Sequence, residues 1–194
     1  MASMTRALIV VDVQNDFCEG GSMPVTGGAR VAYDIGQLLR ERAASTDPEQ
    51  TYGIVVATKD HHIDPGDHFG NPPDFVDSWP EHCVVGTEGE SFHPNLDPVS
   101  FDEIFRKGER SAAYSGFEGS ATDGTTLTDW LRARGVEEVD VCGLATDHCV
   151  RATAIDAQGA GFHTRLLTDL AAGVAPATTA SAVEEMRSAG ITVL

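Results

Sequence analysis

The chain has 194 residues, 41% of them hydrophobic, which is enough for one domain with a sizeable core. Thirty acidic against thirteen basic residues give a formal net charge of −17 and a pI near 4.5, a balance that argues against nucleic-acid phosphates and anionic membrane surfaces as partners. The N-terminal apolar run stops at Asp12, too short for a signal-peptide core or a spanning helix.

The first strand is expected over Ala7–Val11, ending at Asp12. After a loop rich in glycine (Gly20, Gly21, Gly27, Gly28), the spacing of Val31, Ile35, Leu38 and Leu39 predicts a helix over Arg30–Ala44. A second strand is predicted over Gly53–Thr58, and residues 60–100 then form a long insertion dense in Pro, Gly, His and Asp, a length that in a compact domain points to function. Beyond it come a strand ending at Lys107, a helix over Thr125–Arg134 and a strand around Val139–Val141. They are followed by a helix over Cys149–Gln158, a strand over His163–Leu167, a helix over Thr178–Ser188 and a last strand over Ile191–Leu194. This alternation predicts an α/β fold with three α/β/α layers around a mostly parallel, Rossmann-like sheet of roughly six strands. The chain reads as a single domain, residues 1–194, without internal repeats or a low-complexity linker.

Cys149 lies between an apolar run and a predicted helix, in Gly143-Leu144-Ala145-Thr146-Asp147-His148-Cys149-Val150. A helix N-terminus offers unpaired N–H groups and partial positive charge, which favour a thiolate. The plain alternative is a small buried hydrophobe, the usual fate of a free cysteine. Asp12 and Lys107 also fall at predicted strand C-termini, the edge at which ligand crevices of open parallel sheets form. A carboxylate there can take the thiol proton, and an ammonium stabilises both anions. The four cysteines, Cys18, Cys83, Cys142 and Cys149, lack CxxC spacing and a disulfide framework, so free thiols and a cytoplasmic location are expected.

The long loop holds a second constellation. Lys59-Asp60-His61-His62-Ile63-Asp64-Pro65-Gly66-Asp67-His68 packs three histidines and three aspartates together, and Trp79-Pro80-Glu81-His82-Cys83 adds another histidine. Asp60 and His62 fall on one side of an extended segment, and a turn at Pro65-Gly66 can return His68 toward them. One carboxylate with two or three imidazoles suits one divalent ion, Zn, Fe or Mn, with positions left open. A solvated polar loop is the competing reading. Asp64 and Asp67 are read as turn residues that orient the imidazoles, and His61, pointing away from its neighbours, as no ligand.

Together, Val11-Asp12-Val13-Gln14-Asn15-Asp16-Phe17, the Thr58–His68 loop, Trp79–Cys83, Lys107-Gly108, Ala113-Tyr114-Ser115-Gly116-Phe117 and Gly143–Val150 resemble the nicotinamidases of the isochorismatase-like cysteine hydrolase superfamily. The resemblance runs from about residue 7 to the chain's end. It implies a catalytic set of Asp12, Lys107 and Cys149, and metal ligands Asp60, His62, His68 and His82. It also implies a pocket in which Phe17 and Trp79 sandwich a pyridine ring beside Tyr114. The oxyanion donors would be the Ala145 and Cys149 N–H groups near a cis peptide at Leu144-Ala145. The implied activity is hydrolysis of nicotinamide to nicotinic acid and ammonia through a cysteine thioester, in NAD salvage, with a side activity on pyrazinamide.

A metal-free cysteine amidohydrolase of the same fold has no reason to carry the histidine-rich loop, and an isochorismatase proper typically lacks the cysteine. A non-catalytic metal-binding thiol sensor leaves Asp12 and Lys107 unexplained. The expected partner is a small-molecule substrate, with neither nucleic acid nor membrane, and a homo-oligomer is compatible with the sequence.

Overall fold

The computed structural model describes residues 5–45, 52–97 and 100–194. Its centre is a sheet of six strands: β1 (Thr5–Val11), β2 (Ile54–Asp60), β3 (Glu103–Lys107), β4 (Val136–Leu144), β5 (His163–Ala172) and β6 (Thr192–Val193). Their order is β3-β2-β1-β4-β5-β6, and every pairing is parallel. The helices are α1 (Gly28–Ala44), α2 (Leu127–Ala133), α3 (Arg151–Gly159) and α4 (Pro176–Ser188).

Both faces of β1 are buried, as the uninterrupted run Ala7-Leu8-Ile9-Val10-Val11 requires. Ala7, Ile9 and Val11 join a core with Leu127 and Leu131 of α2, Ala154 and Ala157 of α3 and Met186 of α4. Leu8 and Val10 face the opposite core, where α1 inserts Val31, Ile35 and Leu39 at helical spacing. The result is the three-layer arrangement, with α1 on one face and the other helices on the second.

Several boundaries differ from those read in the sequence. β2 runs through Lys59 to Asp60, because pairing with β3 continues to Asp60↔Lys107. β5 extends to Ala172 after a register shift that lets Gly143 and Leu144 pair with Ala171 and Ala172. α4 begins at Pro176, whose missing N–H costs nothing in the first turn. Cys149 stands in a π-helical turn, Thr146–Val150, and α3 itself starts only at Arg151. From residue 61 to β3 the described chain has no α-helix or strand, only short 3-10 turns and isolated bridges.

The strand order reverses direction between β1 and β4, and the carboxyl ends of these two strands open a crevice there. They approach closely: Gly143 has φ +113°, and a Cβ on it would lie 2.2 Å from Val11 O. This contact seats the π-turn after β4 over the residues that follow β1. Among the described residues no helix is long and apolar enough to cross a membrane.

Candidate active site

Four sheet-edge positions supply the polar centre. Asp12 follows β1, Asp60 closes β2, Lys107 closes β3, and Cys149 lies in the turn after β4. All four are buried. Thr58 Oγ1 donates to Asp12 Oδ1 at 2.7 Å. Lys107 Nζ lies 2.9 Å from Asp12 Oδ2, a buried ion pair. The same ammonium donates to Asp60 Oδ1 and lies 3.6 Å from Cys149 Sγ. Asp12 has φ +50°, unusual for a residue with a Cβ, in a backbone kink that turns the chain at the end of β1.

The electrostatics follow from burial and this one cation. Burial would lower the Lys107 pKa, but Asp12 and Asp60 outweigh it and hold the ammonium charged. Burial raises the Asp12 carboxyl above the ordinary range against the pull of Lys107, which makes it a better proton acceptor. Burial also pushes the Cys149 thiol well up, with Lys107 opposing. The helix-start field and the nearby ammonium, which favour the anion, therefore work against desolvation at this sulfur. Desolvation dominates here, and a base is needed to ionise the sulfur.

Beside this set stand His62, His68 and His82, whose ligand-capable atoms all lie within 4.8 Å of one another. His62 Nδ1 donates to Gly108 O at 2.6 Å and His82 Nδ1 to Pro80 O at 2.7 Å, which turns each Nε2 toward the cluster. Those two Nε2 atoms lie 3.5 and 3.6 Å from Asp60 Oδ2. His62 Nε2 and His68 Nδ1 are buried without a hydrogen-bond partner. Burial, reinforced by His82 and His62, lowers the His68 pKa to about 4 and keeps the ring neutral. Three clustered imidazoles, two of them facing a carboxylate oxygen and two carrying a buried nitrogen without a hydrogen-bond partner, are the donor set a divalent ion needs, so these residues fit such a metal.

The His62 and His82 rings are thus oriented by main-chain carbonyls, whereas Asp64 and Asp67, read in the sequence as orienting residues, are exposed. His61 turns away to Glu90, which also binds Lys59 at 3.1 Å. The pocket is lined by Phe17, Trp79, Tyr114, Ala145, His68 and Cys149. Trp79 Nε1 donates to Tyr114 OH at 3.0 Å, and the Phe17 ring sits 5.4 Å from that of His82. The Leu144–Ala145 peptide is cis.

A model of the isochorismatase domain matches residues 6–194. The chain belongs to this family. Among its isochorismatase-family relatives, the nicotinamidase/pyrazinamidase of Mycobacterium tuberculosis is 59% identical over 96% of each chain. The Escherichia coli nicotinamidase is 36% identical over 97% of this chain and 93% of its own. The pyrazinamidase of Pyrococcus horikoshii, solved in complex with zinc, superposes with a TM-score of 0.80 at 38% identity over 98% of each chain. A Leishmania (L. infantum) protein solved with nicotinate superposes at 0.81, with 34% identity over 100% of this chain and 94% of that one.

The isochorismatase-family site also contains residues that the sequence reading passed over. Met23, His148 and Val174 line the same pocket, the His148 ring packing edge-on to Trp79 at 5.3 Å. Thr58 orients Asp12, and Gly108 carries the carbonyl that orients His62. Asp147, beside the nucleophile, accepts N–H groups of Val174 and Ala175 and the Thr178 hydroxyl. Thr58, Gly108, Asp147 and His148 lie within motifs quoted from the sequence, but their roles, like those of Met23 and Val174, needed three-dimensional neighbours.

Proposed function

We infer that this chain is a nicotinamidase: it hydrolyses the carboxamide of nicotinamide to nicotinic acid and ammonia, with pyrazinamide as a second substrate, and serves NAD salvage. The observation that carries this reading is that Lys107 joins Asp12 to Cys149, and that Cys149 lines an aromatic pocket together with Asp60, His68 and His82. Residues 1–194 act as one catalytic domain, with residues 60–100 supplying all four metal-binding side chains.

Asp12 takes the Cys149 proton, and the sulfur forms a bond to the carboxamide carbon. The carbonyl oxygen takes up negative charge, which the Ala145 and Cys149 N–H groups receive. Asp12 returns the proton to the departing nitrogen, the C–N bond breaks, ammonia leaves and a thioester remains. A water then gives a proton to Asp12 and its oxygen to the acyl carbon; the C–S bond breaks and the proton restores the thiol. Throughout, Lys107 stays charged and offsets the negative charge that passes between sulfur and carboxylate. Phe17 and Trp79 hold the ring flat between them, and Tyr114 fixes the Trp79 indole.

Asp60, His62, His68 and His82 would hold one divalent ion, Zn, Fe or Mn. When bound, it supplies a Lewis acid that draws electron density from a ring nitrogen or from a water beside it. The substrate is the partner this site requires, and the protein works in the cytoplasm.

Ammonia release from nicotinamide, measured before and after chelation and after add-back of Fe, Mn or Zn, tests the reading. Loss on chelation with recovery by one ion is expected. Undiminished release from metal-free protein would leave the loop a structural element and make a metal-free amidase the better description.

A further inference from the structure

Gln14 is fully buried between Asp12 and Phe17, and the chemistry above makes no use of it. Its side-chain amide makes three hydrogen bonds. Nε2 donates to Asp60 O and to Glu90 O, each at 2.9 Å, and Oε1 accepts from Asp60 N at 2.8 Å. Both N–H groups and the carbonyl are thereby engaged. Two of the three bonds fall on the backbone N–H and C=O of a single residue, the pattern by which one strand holds its neighbour.

The need for this arises from register. Pairing of β1 with β2 ends at Val11↔Thr58, so β1 does not extend far enough to pair with Asp60. On its other edge Asp60 is still paired, with Lys107 of β3. The Gln14 amide stands where the next β1 peptide group would have been. Gln14 is itself anchored by its N–H to Asp12 O at 2.8 Å and by a bridge to Phe92. Asp60 has two obligations that leave little freedom: Oδ1 accepts from Lys107, and Oδ2 faces His62 and His82.

We propose that Gln14 is a positioning residue of the metal centre, a side-chain substitute for a missing strand partner that fixes the Asp60 main chain so its carboxylate serves Lys107 and a metal together. The inference rests on Asp60 being a ligand. Outer groups that orient metal ligands typically change affinity or activity by about 10–100-fold when removed.

The test uses the full-length protein loaded with cobalt(II), whose visible bands report ligand geometry without any substrate. Gln14→Met, close in size but without donors or acceptors, and Gln14→Asn, too short to span both Asp60 groups, are compared with Asp60→Asn and with Val31→Ala, a core change on α1. Cobalt affinity is expected to fall roughly 10–100-fold in both Gln14 variants, with altered bands and a larger loss in kcat than rise in KM for nicotinamide. Val31→Ala is expected to lower the melting temperature and leave affinity and bands alone. If Gln14→Met gives no folded protein, Gln14→Asn decides by the same readings. Wild-type affinity and bands in the folded Gln14 variants would overturn the proposal, as would equal weakening by Val31→Ala at matched loss of stability. Unchanged affinity in Asp60→Asn would overturn it through the ligand assignment. The affinity and band readings, which decide the proposal, do not depend on which amide the enzyme hydrolyses.

Discussion

Lys107 Nζ and the Asp60 carboxylate are directly hydrogen-bonded, so one buried ion pair joins the thiol chemistry to the histidine centre. The ammonium also faces Asp12 and Cys149, and the two halves of the site share a single cation.

Lys107→Met removes that cation and leaves the Asp12 and Asp60 carboxylates buried without compensation. Breaking a buried ionic set in this way costs about 3–5 kcal/mol. The variant is expected to denature at markedly lower urea concentration and to lose at least about 100-fold in kcat/KM, a rise of about 3 kcal/mol in the barrier. Unfolding curves and initial rates on the same preparation check both.

Cys149→Ala deletes the nucleophile while leaving a buried site of similar size. Ammonia release is expected to fall to background, and rapid quench followed by mass spectrometry of the intact protein is expected to find no acyl adduct, with the melting temperature within a few degrees of wild type. Normal turnover by this variant would exclude the thioester route.

Gly108 has φ +77°, and a Cβ there would lie 2.6 Å from His62 Cε1 and 2.9 Å from Nδ1. Gly108→Ala must therefore displace either the carbonyl that holds His62 or the ring itself. Metal affinity, measured by competition with a chelator, is expected to fall at least about tenfold; Gly124→Ala, where the space is open, supplies a backbone-strain control.

Tyr114→Phe removes the acceptor for the Trp79 indole N–H. Losing one hydrogen bond of about 0.5–1.5 kcal/mol is expected to raise KM for nicotinamide roughly 2–10-fold, with kcat changed less. Steady-state kinetics over a tenfold range around KM separate the two constants.

Burial would raise the Asp147 carboxyl, but the bonds from Thr178, Val174 and Ala175 outweigh it and hold the pKa below the ordinary range. A carboxyl depressed in the folded state contributes stability that is fully present above its unfolded value, near pH 4, and lost as pH falls through the folded value. Asp147→Asn is expected to lower stability by about 1–3 kcal/mol at pH 7, with the gap to wild type narrowing below about pH 4. Melting curves from pH 7 down to pH 3 follow that gap, and a constant difference across the range would rule out the ionic contribution.

Strand and helix alternation, the buried run Ala7–Val11 and the periodic Val31, Ile35 and Leu39 were legible because they express local periods of two and 3.6 residues. The candidate residues themselves were legible because chemistry restricts their types and because motifs keep them in short segments. Boundaries were less so: the ends of β2 and β5 are decided by the strands they pair with, which lie distant in sequence.

What the sequence determined by itself was an acidic α/β chain carrying a cysteine, an aspartate and a lysine at strand ends, with a histidine-rich loop between them. The tertiary structure alone decided that Lys107 is shared by two carboxylates, that main-chain carbonyls and not Asp64 or Asp67 aim the His62 and His82 rings, and that burial opposes ionisation of the sulfur. The reason is physical: residue types and spacing are local, whereas ion pairing, desolvation and hydrogen-bond direction depend on which atoms folding brings within a few ångströms and removes from water.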